Sequence, residues 1–150
     1  MKYYFLSFVV ILFCNILDAK DLERYSSAKI QVLNKLTGKY DKILLTTDVI
    51  HQFDNNLYIV LKACYKPLQK DDIENSAFFE VMKTYDSRDA VLYKNKPVIP
   101  MPFYFKNLSS RMEKAMIFSG WMFSSSPSLS HMLDNTYDLI LIKCENNLNN

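Results

Sequence analysis

The sequence predicts an all-β fold, a small single-domain β-sandwich or barrel with one or two short helices. Three observations lead there. Beyond residue 28 the apolar residues recur mostly with a period of two, the signature of half-buried strands. These stretches are short and are separated by turn-forming residues such as Thr37-Gly38 and Asp54-Asn55-Asn56. A length of 150 residues, 49% apolar and 23% charged, suits one globular domain, and neither a repeat nor a linker divides it.

The chain opens with Met1-Lys2 and then fifteen uncharged residues, Tyr3 to Leu17. As a helix that run measures roughly 22 Å, short of the ~30 Å hydrocarbon core of a bilayer. A basic start, a short apolar run and Ala19 before the charged Lys20-Asp21-Leu22-Glu23-Arg24 describe a signal peptide over residues 1–19, cut between Ala19 and Lys20. The competing reading is an anchor that stays attached. Cys14 is a poor lipidation site, because Phe13 stands where a small residue is needed. Residues 20–27 then form a short N-terminal arm, 28–145 the β-rich domain, and 146–150 a loose tail.

Ala28–Leu36 and Lys39–Leu45 read as a hairpin turning at Thr37-Gly38. In the next strand Leu57, Ile59, Leu61 and Ala63 share one face, while Tyr58, Val60, Lys62 and Cys64 share the other. Ala77–Tyr85 and Ala115–Phe123 are aromatic-rich strands. The last strand sets Tyr137, Leu139 and Leu141 opposite Asp138, Ile140 and Ile142, and ends at Cys144. Between them, Pro97, Pro100 and Pro102 predict irregular structure, in which Met101–Phe105 packs down. Short helices are expected over Asn107–Ala115 and from Ser126-Pro127 to about Asp134.

Two cysteines remain after residue 19, Cys64 and Cys144. An even number in an exported chain points to a disulfide, here joining two strand ends if the strands are neighbours. Cys64, Cys144, His51 and His131 lack the close pair spacing of a zinc site, so no metal is expected. Two glycines leave no room for a phosphate-cradling loop, and no cofactor motif is present. A net charge of +2 without a Lys/Arg run argues against nucleic acid as a partner.

The segments Ala28–Lys39, Leu61–Pro67 and above all Phe118-Ser119-Gly120-Trp121-Met122-Phe123-Ser124-Ser125-Ser126-Pro127-Ser128-Leu129 resemble an exported alphaproteobacterial family known as domain of unknown function 2155. The resemblance runs over about residues 28–145 and implies a place in the cell envelope, the periplasm in particular. It implies no reaction. It breaks at residues 86–114, where the family pattern is shorter, so that Asp86–Lys114 reads as an insertion.

The expected function is a non-enzymatic binding or scaffolding module for another envelope protein or ligand, with no membrane span in the mature chain. Trp121, Phe103 and Tyr104 are the candidate interaction surface, although Gly120-Trp121 also reads as packing. The alternatives are an anchored accessory protein of a membrane complex, or a hydrolase using Ser124, Ser125 or Ser126 with His131 and Asp134. The G-x-S-x-G turn that would expose such a serine is absent. His51 is expected in a loop, and Glu80 and Asp138 on solvated faces.

Overall fold

The computed structural model describes residues 22–68, 74–89, 92, 94, 99–107, 112–132 and 134–146. The expected signal peptide with its cut at Ala19-Lys20, and all but the first residue of the tail, lie outside them. Among the described residues no helix is long and apolar enough to cross a membrane.

The elements are β1 (Leu22–Tyr25), β2 (Ser27–Asn34), β3 (Tyr40–Thr46), β4 (Ile50–Phe53), β5 (Leu57–Pro67), β6 (Ser76–Tyr85), α1 (Phe103–Lys106), β7 (Glu113–Phe123) and β8 (Tyr137–Glu145). They form two antiparallel sheets, as the period-two pattern predicts. The five-stranded sheet has the order β1-β5-β6-β7, with β4 also paired to β5; the three-stranded sheet has the order β3-β2-β8. Their inner faces enclose one core, with Ile30, Val32, Leu139 and Leu141 from the smaller sheet and Leu57, Ile59, Phe79 and Val81 from the larger. The β2–β3 hairpin turns at Gly38, whose φ of 71° favours a residue without a Cβ.

Two strands and two helices depart from expectation. β1 arises in the presumed arm and pairs with the end of β5. β4 takes residues 50–53, so His51 lies on a strand, and its Nε2 accepts a hydrogen bond from the Thr46 amide at 3.0 Å. Of the helix expected over Asn107–Ala115, residues 113–115 instead open β7, whose aromatic and branched residues pair along β6, and residues 108–111 lie outside the described ones. After Ser126, among the described residues, only a single 3-10 turn forms over Pro127–Leu129, with no side-chain cap from Ser126. Three residues make too little helix to bury an apolar stripe.

The expected Cys64–Cys144 disulfide is present, but its setting differs from the simplest expectation. The two cysteines do not join neighbouring strands. β5 and β8 belong to different sheets, and the Cys64–Cys144 disulfide crosses the core with the Cα atoms 5.7 Å apart. Strict alternation would turn both cysteines outward. A bulge at Lys62 shifts the β5 register between Leu61 and Ala63, and Ile142 is skipped where β8 pairs with β2. One extra residue reverses the side-chain parity, so Cys64 joins Leu57, Ile59 and Leu61 inside, and Cys144 joins Tyr137, Leu139 and Leu141. Asn75 reinforces the same end of the sandwich. Its Oδ1 accepts from the Cys144 amide at 2.9 Å, and its backbone exchanges hydrogen bonds with Ser124 at the end of β7.

Gly120 has a packing reason. A Cβ there would stand 3.3 Å from Cζ of Phe118, whose ring covers the glycine on the inner face of β7. Residues beyond β6 return over the outer face of the larger sheet, where Phe105 is fully buried with Val60, Met82 and Met116. Met101–Phe105 thus packs down as expected, except for Phe103, which is 75% exposed.

The bridge closes a loop with a sequence separation of 80 residues. Replacing Cys64 and Cys144 together by Ala should therefore lower the unfolding free energy by about 4–5 kcal/mol. Urea unfolding at neutral pH under non-reducing conditions measures this, and a loss under ~1 kcal/mol would contradict the tie described here.

Candidate functional site

At the end of the sandwich away from the disulfide, β6 turns a lysine inward. Lys83 follows Ala77, Phe79 and Val81 on the core-facing side and is only 6% exposed. A buried ammonium is costly unless paired and hydrogen-bonded. Lys83 Nζ lies 3.3 Å from Oδ1 and 3.4 Å from Oδ2 of Asp134, donates to Thr136 Oγ1 at 2.9 Å, and stands 5.2 Å from the centre of the Tyr137 ring. Asp134 is itself 4% exposed, and its Oδ1 accepts from the amides of Thr136 and Tyr137 at 2.9 Å each. Burial alone would raise its pKa. The two amides and Lys83 outweigh that and hold the carboxyl below the usual range.

The network continues through Tyr137, which joins the ends of both sheets. Its Oη donates to Asp54 Oδ2 at 2.8 Å and lies 3.0 Å from the Asn56 side-chain amide. Burial, and then the Asp54 carboxylate, push the phenol well above its ordinary pKa, so it stays a donor. A cavity of about 350 Å³ opens above Lys83, walled by Asn56, Thr84, Asp134 and Thr136, with Leu36 and Leu92 toward solvent. Among the described residues no serine, cysteine or histidine lines it. Lys83 is fully engaged by its neighbours, which makes it a structural tie rather than a reactive amine. A lysine in phase with three buried apolar residues was the available sequence signal, and alternation alone did not reveal its partner.

The Ser–His–Asp grouping is not assembled. Asp134 is committed to Lys83, and His131 is exposed on a non-helical segment. Ser124 Oγ accepts from the Asn75 amide at 2.8 Å, and Ser125 Oγ donates to Glu74. Among the described residues no hydrogen bond joins His131 to a serine. Nor does any group of three or more His, Cys, Asp or Glu offer a metal site there.

The outer face of the larger sheet is divided in two. Phe105 and its neighbours seal one half. On the other half Trp121 is 40% exposed and packs edge-on against Phe78, with ring centres 5.4 Å apart, and tilted against Tyr65 at 6.0 Å. Tyr104 belongs to the sealed half, stacked beside Phe105 with Lys62 Nζ 5.4 Å from its ring centre. No ring contact joins Trp121 to Phe103 or Tyr104 among the described residues. The three expected surface residues are thus spread rather than gathered, and Tyr65 and Phe78 are the partners that sequence reasoning missed. Glu80, expected in solvent, is only partly exposed. Its Oε2 is buried without a partner, and burial raises its pKa against the opposing pull of Lys62. Asp138 is likewise only partly exposed on β8.

Two antiparallel sheets joined across their core by a disulfide define a small all-β domain with an aromatic cluster on its outer face. Residues 28–144 match the family model described as an uncharacterized protein conserved in bacteria, domain of unknown function 2155, and the chain belongs to that family. No curated protein and no solved structure matches it.

The Lys83–Asp134 pair yields a prediction with a definite sign. Because the folded-state pKa of Asp134 is depressed, its contribution is complete above the unfolded value of about 3.9 and is lost as pH falls through the lower folded value. Asp134→Asn should cost about 3–5 kcal/mol at pH 7, since it strands a buried ammonium. Chemical denaturation at a series of pH values should show that gap narrowing below about pH 4. A gap of constant size would contradict the assignment.

Proposed function

We propose that this chain is exported into the bacterial envelope and serves there as a non-enzymatic binding or scaffolding module, its contact face centred on Trp121. The observation that carries this reading is the open aromatic half-face. Tyr65, Phe78 and Trp121 form a contiguous cluster on a sheet whose other half is sealed by the chain's own Phe105. Exposed aromatic clusters of this kind are favoured anchors in protein recognition, because they bring large contact area with little side-chain entropy to lose. Export is supported by the signal-like residues 1–19 and by a disulfide that persists only in an oxidising compartment. An alphaproteobacterial envelope is the setting that the family resemblance suggests.

A photo-crosslinking residue at position 121, compared with one at the exposed Tyr40 on the opposite sheet, tests the contact face. Adducts to another envelope component are expected from position 121 and not from position 40. Fractionation and intact mass test export, with a periplasmic product beginning at Lys20 as the expected result. Full-length cytosolic protein with reduced cysteines would overturn the reading. Trp121→Ser should cost only about 1 kcal/mol of stability, because the side chain is partly exposed, while abolishing the adducts.

A further inference from the structure

The strand that carries Trp121 is also an edge. Among the described residues β7 pairs with β6 alone and closes the five-stranded sheet on one side. It has 11 residues, and no charged residue occurs between Ala115 and Phe123. On an edge strand about half the amides and carbonyls point away from the sheet. Among the described residues no backbone hydrogen bond reaches Ala115–Phe123 from that side. Ser119 and Trp121 are exposed there, and Gly120 leaves the backbone between them without a side chain.

The other edges are protected. β1 and β4 have four residues each, too few to template a partner. β3 carries the exposed charges Asp41 and Lys42, and β8 carries Asp138, Lys143 and Glu145. Charges and short length are the usual devices that stop edge-to-edge pairing; β7 is long, and its two charges, Glu113 and Lys114, stand at one end only.

We propose that β7 is the strand through which two copies of this chain pair, antiparallel and edge to edge, merging two five-stranded sheets into one. Only an extended backbone satisfies an open row of N–H and C=O groups, and in a two-fold arrangement β7 presents the same row in reverse to itself. The charges allow it. A two-fold axis at Ser119 sets the Glu113-Lys114 end of each copy against the Ser124-Ser125 end of the other, where Glu74 is hydrogen-bonded to Ser125, so neither Glu113 nor Lys114 meets its own counterpart. The pairing would also bring both Trp121 clusters onto one continuous face, which extends the binding-module reading without depending on it.

Sedimentation of the purified chain from about 1 to about 100 μM tests the proposal. A dimer is expected, and the amides of residues 115–123 should exchange more slowly as concentration rises. Ser119→Lys places two like charges at the axis and should raise the dissociation constant roughly tenfold or more. That variant should melt like the parent, because position 119 is exposed beside Glu80 on β6. A monomer at about 100 μM, or a dimer that Ser119→Lys does not weaken, would overturn the proposal. In either case, crosslinks from position 121 to another envelope component would leave the binding-module reading standing.

Discussion

The covalent tie between β5 and β8 is the constraint around which the rest of the molecule is arranged. It links the two sheets across the core, and it exists only because each strand carries an extra residue shortly before its cysteine. Those two bulges reverse the inward parity at the same end of the sandwich. The small sheet has only three strands and a narrow inner face, so a covalent link to the larger sheet compensates for limited apolar burial. Asn75 adds backbone satisfaction beside the bridge, where the ends of β7 and β8 would otherwise diverge.

The far end of the sandwich is held by a different kind of interaction. Lys83 on β6 reaches Asp134 and Thr136 just before β8, and Tyr137 reaches the turn before β5. A pair of buried charges adds little net stability over an apolar pair, but leaving either one alone is costly. The geometry therefore favours one relative placement of the sheets over its alternatives. Together the two ends fix the sandwich and leave its outer surfaces free to vary.

Those outer surfaces are unequal. The smaller sheet shows solvent a mixture of Lys29, Gln31 and Lys42 with scattered apolar residues, whereas the larger sheet has one half covered by Phe105 and one half occupied by aromatic rings. Gly120 belongs to this contrast from the inside. It admits the Phe118 ring to the core face of β7, and so lets the next residue, Trp121, stand on the opposite face beside Phe78. The most specific motif in the chain thus has a packing explanation on one face and exposed aromatic area on the other.

Local patterning determined a good deal of this. Alternation located β2, β3, β5, β6, β7 and β8 to within a few residues, Thr37-Gly38 marked the hairpin, and the paired thiols marked the bridge, because each of these signals acts between near neighbours in the chain. Short β1 and β4 were invisible, since four residues carry too little periodicity and owe their strand geometry to pairing with β5. A short helix is present as expected but at Phe103–Lys106, while residues 113–115 joined β7 because pairing with β6 outweighed local propensity. Only the tertiary structure decided that the cysteines face inward, that Asp134 serves Lys83 rather than His131, and that Tyr65 and Phe78 flank Trp121. Each of these depends on sheet register and on which face a residue meets across the core, and a single inserted residue is enough to reverse that.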